Sequence, residues 1–125
     1  MGRVTERYEH RRTGDRELLG WLRAEGDDYV AVDLLGRELT DAVDWPTAEE
    51  ALDARGLRWL SDLWQLRLDD GSVERVRIVE VRPDDRVVVK RDDLGAVGAE
   101  QVVHVLPFPA PAALQPFAGD PHVLG

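Results

Sequence analysis

From Trp64 to Val81 the chain reads WQLRLDDGSVERVRIVEV, with apolar and polar residues alternating on both sides of an Asp-Asp-Gly. A period of two is the mark of a strand with one face buried. Two such runs around a glycine-bearing turn predict a β-hairpin. Parity selects its loop. A two-residue turn at Asp70-Gly71 sets Leu66 opposite Arg75 and Trp64 opposite Arg77, which mixes core and solvent on one face. A three-residue loop, Asp69-Asp70-Gly71, pairs Leu68 with Ser72, Leu66 with Glu74 and Trp64 with Val76. Trp64, Leu66, Leu68, Val76 and Ile78 then share a core face, and Gln65, Arg67, Val73, Arg75 and Arg77 share the opposite one. The adjacent apolar pair Ile78-Val79 reverses the phase, which predicts a β-bulge and a bend of the kind that closes small barrels.

The same pattern predicts a first meander from residues 4–10, 17–23 and 29–35, and a second from residues 63–68, 73–82, 86–91 and 101–106. Asp-Asp doublets at 27–28, 69–70, 84–85 and 92–93 punctuate these runs, each with Gly or Pro nearby. They suit turns, because an Asp side chain accepts bonds from backbone N–H groups just ahead of it, and none forms a calcium-binding D-x-D-x-D-G loop. In RPDDR the reading is a type I turn with Pro83 at its second position. Gly20, inside a strand pattern, is a candidate bend. Between the meanders, RELTDAVDWP is loop-like. WPTAEEALDARGL reads as a short helix with Thr47 as N-cap, Glu50 closing a capping box, Ala48, Ala51 and Leu52 as the buried stripe, and Gly56 past its end.

Composition bounds the chain without naming a function. Its 125 residues fit one domain, and 43% hydrophobic with 33% charged residues is a folded composition. The absence of cysteine excludes disulfides, thiolate zinc and thiol catalysis. No apolar run approaches the roughly 18 residues of a membrane span, and the N-terminus lacks the apolar core of a secretory signal, so the expected location is cytoplasmic. Lys90 is the one lysine among 16 basic residues, a bias that suits a GC-rich bacterial genome. The net charge of −9 is uneven. Residues 17–66 hold twelve acids against four arginines, whereas residues 67–91 hold seven bases against six acids. An acidic chain repels nucleic acid unless it concentrates a basic patch.

Motifs for chemistry are sparse. His10, His104 and His122 stand far apart, with no second His or carboxylate at ligand spacing, and read as structural. Ser61 and Ser72 lie in no nucleophile motif, and GAVG at 95–98 lacks the phosphate-loop Lys. Glu74 and Glu80, flanking Val76 and Val79, read as cross-strand partners of arginines. Trp64 belongs to the core by parity. Trp45, just before Pro46 and Thr47, is the tryptophan best placed for exposure, against the competing reading of a hydrophobic staple ahead of the helix. In the tail from residue 107 onward the prolines fall two apart at 107, 109 and 111. That is not the spacing of a polyproline ligand, so the tail reads as an extended strap using Phe108 and Phe117.

The expected fold is therefore mainly β, a small SH3-like barrel or roll built from two meanders joined by one short α-helix. Residues 1–106 form a single β-rich domain, with 1–16 as a first strand or mobile arm, and 107–125 a strap or disordered tail. The expected function is a non-catalytic interaction module without cofactor or metal. It binds a protein partner or itself through Arg67, Arg75, Arg77 and Lys90, with Arg86 and Trp45 as further contributors, and does not insert in a membrane. The alternatives are single-stranded nucleic-acid binding through the same face, which lacks the interleaved aromatics that bases stack on, and an enzyme with a site among Glu74, Glu80 and His104.

Overall fold

A computed structural model describes residues 6–92 and 102–117. It contains eight strands, β1 (Arg7–Arg11), β2 (Leu18–Glu25), β3 (Asp28–Asp33), β4 (Trp64–Arg67), β5 (Val73–Arg82), β6 (Arg86–Arg91), β7 (Val103–Pro107) and β8 (Leu114–Pro116). One α-helix, α1 (Trp45–Arg55), and a 3₁₀ turn, Arg58–Ser61, lie between β3 and β4. The protein is mainly β. All pairings are antiparallel, in a three-stranded sheet of order β1-β2-β3 and a five-stranded sheet of order β7-β6-β5-β4-β8. Neither sheet closes into a barrel. The chain divides into two compact units, Met1–Trp59 and Leu60–Gly125.

In the first unit, β2 and β3 join through a two-residue turn, Glu25 opposite Asp28, with Gly26 at φ +62°. That left-handed position is what a tight hairpin asks of its first turn residue. Pairing places Gly20, Leu22, Ala31 and Asp33 on one face, and α1 packs there through Ala48 and Leu52, both fully buried. Gly20 is where the helix comes closest. A Cβ at that position would sit 2.2 Å from the Val32 carbonyl oxygen and 2.9 Å from Leu52 Cδ2, and its φ is +153°. The glycine expected to bend the strand is required for this close approach as well.

The helix starts earlier than the sequence suggests. Asp44, not Thr47, is the N-cap, and its carboxylate accepts the Thr47 N–H at 3.0 Å. Both residues have capping chemistry. Pro46 decides between them, because its missing N–H and fixed φ suit the first turn and let the helix begin at Trp45. Gly56, at φ +60°, ends the helix and donates to the Leu52 carbonyl. The loop-like segment ahead of the helix is not free. It folds back on β3 through bridges Tyr29–Val43 and Val32–Glu38. The buried Asp33 organises its start by accepting the N–H groups of Leu35 (2.9 Å) and Arg37 (3.1 Å) on one oxygen.

In the second unit the hairpin takes the register that parity predicts. Trp64 faces Val76, Gln65 faces Arg75, Leu66 faces Glu74 and Arg67 faces Val73. The loop closes through Leu68 N–H to Ser72 O, with Gly71 at φ +88°. The bulge falls where the phase reverses: Ile78 pairs with Val89 and Glu80 with Val88, leaving Val79 unpaired. Trp64, Leu66, Val76, Val87, Val89 and Leu114 are buried on the core face. The turn after β5 differs from the type I expectation. Asp85 N–H bonds to Arg82 O across Pro83 and Asp84, and Asp84 has φ +65°. A positive φ at the third position makes the turn type II in character, and Asp is among the few side chains that tolerate it. Of the strap expected over residues 107–125, Leu114–Pro116 pairs with β4 as β8; residues 118–125, with His122, and GAVG at 95–98 lie outside the described residues.

Candidate interaction surface

The outer face of the five-stranded sheet carries the arginines selected from the sequence, and the structure separates them into two sets. Arg75 and Arg77 converge on Asp92, their Nε atoms 3.4 and 3.8 Å from its carboxylate oxygens. Arg77 also donates to the Ser61 carbonyl at 2.9 Å. The guanidinium of Arg75 lies 5.9 Å from the Phe117 ring centroid and its side chain is only 18% exposed. Nε of Arg75 and Oδ2 of Asp92 are both buried, and their separation falls within ion-pair range without the geometry of a hydrogen bond. These two arginines balance an acid, which answers why like charges can stand two residues apart on one face. Arg67 is exposed and Lys90 half-exposed, both on the same face. Arg86 joins Glu80 at 3.4 Å, as does Arg82 at 2.7 Å.

Around these cations the face is apolar. Val73, Val79, Val103 and Val105 are each more than half exposed. Val105 pairs with Val88, which pairs with Glu80 beside the bulge, and Val103 pairs with Lys90. Val79 on β5 and Val103 and Val105 on β7 thus expose apolar side chains on either side of Val88, itself only 8% exposed, with Lys90 beside them. The bulge releases Val79 from the ladder and leaves it 56% exposed. Sequence reading assigned Val73 to this face but passed over Val103 and Val105, whose alternation in VVHVLP carries the signal.

The remaining candidates sit elsewhere. Trp45 opens α1 and is half-buried, edge-on to Tyr29 (4.9 Å between ring centroids) and to Tyr8 (5.5 Å). It packs against the core of the first unit. Glu80 and His104 do not meet. His104 instead pairs with Glu74, Nε2 to Oε1 at 3.2 Å, so Glu74 has a histidine rather than an arginine as its partner. His10 has carboxylates at both ring nitrogens, Glu49 at 3.4 Å from Nδ1 and Asp53 at 2.8 Å from Nε2. Helical i, i+4 spacing aligns those two acids on one face of α1, a placement that sequence distance concealed. Among the described residues no group of three or more His, Asp or Glu is arranged to hold a metal ion. Nor is any described helix long and apolar enough to cross a membrane.

These features define an open, two-sheet β protein with a mixed apolar and cationic face. No family model, curated protein or solved structure matches the chain.

Proposed function

We propose that this protein is a non-catalytic, cytoplasmic interaction module that binds a protein partner through the outer face of its five-stranded sheet. The observation that carries this reading is the exposed set Val79, Val103 and Val105, flanking the buried Val88 beside Lys90, with Arg67 on the same face. Grouped exposed apolar side chains cost solvation free energy and are kept where a partner covers them. A rim of cation without an ion-pair partner among the described residues selects a partner with acidic groups around an apolar centre, and excludes surfaces of like charge. Arg75 and Arg77 contribute by holding the sheet's Asp92 rather than by direct contact, and Trp45 serves the first unit's core. The SH3-like roll expected from the sequence belongs to this reading, since a bulged, bent sheet is the element from which such rolls are built.

The test is photo-crosslinking in cells with a reactive amino acid at position 79, and the same group at Glu25 as control. A discrete adduct from position 79 that disappears in the Arg67→Glu, Lys90→Glu double variant is the expected result. An adduct of twice the chain's mass assigns the face to self-association. No adduct, or the same adducts from position 25, overturns the reading.

A further inference from the structure

Resting on the reading of this unit as an interaction module, we propose that the edge of β7 is a second and more specific contact: it takes one extended peptide as an added strand. A groove of about 720 Å³ runs beside β7. One wall is residues 103–106, which alternate between the two faces of the sheet, so the groove follows the strand's edge rather than either face. The opposite wall is residues 66–70, with Pro111 and Ala113.

The β7 wall presents backbone without a strand partner among the described residues. β7 pairs with β6 on one side, and among the described residues no strand pairs with it on the other. On the far wall, β8 covers β4 only as far as Leu66, and the Arg67 N–H reaches Ala113 O. Leu68 then directs its N–H and its carbonyl into the hairpin, to Ser72 O and from the Gly71 N–H, so this wall bounds the groove without adding a second row of backbone partners. The groove is thus the seam of a rolled but unclosed sheet. The two outer edges of the sheet differ in length: β8 has three residues and β7 five, each ends in a proline, and neither carries Lys, Arg, Asp or Glu. The longer β7 offers the more extended edge.

Walls on both sides exclude the edge of another folded sheet and admit a single chain. Leu66, Leu68 and Leu106 line the core side of the groove and ask for apolar side chains on that face of the peptide. Arg67, on the outer side, asks for a single acidic one opposite it, while Asp69 and Asp70 at the loop end of the groove disfavour further acids there.

A fluorescein-labelled, end-blocked Thr-Val-Glu-Val-Thr-Val peptide is the probe, added to the full chain and followed by fluorescence anisotropy and amide hydrogen exchange. Saturable binding is expected, with slowed exchange at residues 103–106. N-methylation of alternate peptide residues, which removes one row of backbone donors and keeps the side chains, is expected to weaken it at least tenfold. Arg67→Glu, at an exposed position, is expected to weaken the Glu peptide at least fivefold and to favour a peptide with Lys in its place. Binding indifferent to N-methylation or to Arg67→Glu, protection confined to other residues, or no binding at all overturns the proposal. So does a concentration-dependent dimer that protects β7 without peptide, which assigns the edge to a second copy. Lys90→Glu, with the reactive amino acid kept at position 79, separates the two readings. It is expected to weaken the cellular crosslink of the outer face and leave peptide affinity within twofold. Loss of peptide binding with the crosslink intact sinks the seam alone.

Discussion

Gly20 and Gly71 show how one residue type carries two different demands. Gly71, at φ +88° with open space around it, needs only a backbone that L side chains avoid, so Gly71→Ala is expected to cost about 1–2 kcal/mol. Gly20 adds a collision with the Val32 backbone that no rotamer relieves. Gly20→Ala is expected to cost more than ~3 kcal/mol, and urea midpoints of the two variants order them. Asp33 shows the residue scale of charge. Burial pushes its carboxyl above the ordinary 3.8, against the backbone donors of Arg37 and Leu35 and the charges of Arg55 and Arg37. The folded chain therefore binds a proton there more tightly than the unfolded one. Asp33's contribution is full below about 3.8 and is lost as pH rises through the raised folded value. Asp33→Asn keeps the single oxygen that accepts both N–H groups. It is expected to match or exceed the wild type in urea at pH 7, and to lose that advantage at pH 3. Asp15 has the opposite sign. The Arg12 guanidinium, then the Glu17 N–H, hold it at about 2, so its contribution is present above 3.8 and lost as pH falls through 2. A carbon-detected NMR titration with its midpoint near 4 at Asp15 would contradict this.

At the scale of elements, what was legible in the sequence was what neighbours along the chain decide. The β4–β5 register follows from parity and from a loop only three residues long, and the bulge from two adjacent apolar residues. The start of α1 was not legible, because Asp44 and Thr47 both suit a cap and the choice rests on how Pro46 and Trp45 enter the first turn. Asp44→Ala is expected to cost about 1 kcal/mol and Thr47→Ala less, by thermal unfolding; a larger loss at Thr47 would restore the later start. Leu52→Ala, removing a fully buried side chain from the face beside Gly20, is expected to cost 2–5 kcal/mol. β8 was hidden by composition. Leu114–Pro116 sits among prolines and alanines, and it pairs because β4 offers it a free edge, not because its own residues favour a strand.

For the whole molecule, a charge of −9 and two of the selected arginines engaged by Asp92 predict that the protein passes through heparin resin at low salt. Retention that collapses with added salt would favour the nucleic-acid alternative. Asp92→Asn releases Arg75 and Arg77, and is expected to raise retention without changing the fold. The candidate surface was half legible for the same reason. Parity along the chain placed Arg67, Arg75 and Arg77 on one side of a sheet, since successive strand residues must alternate. Which of them stays available depended on Asp92, Ser61 and Phe117, brought beside them by other strands and loops. The exposure of Val103 and Val105 depended on β7 ending as an edge. The sequence by itself determined the local quantities: strand faces, the hairpin register, the bulge, the turn glycines and the mainly β class. Each of these is set by sterics or periodicity within a few residues. Strand order, the unclosed seam and the partners of each charge were decided by tertiary structure alone. They depend on contacts between residues tens of positions apart, and no pattern along the chain encodes which distant edge will be left unpaired.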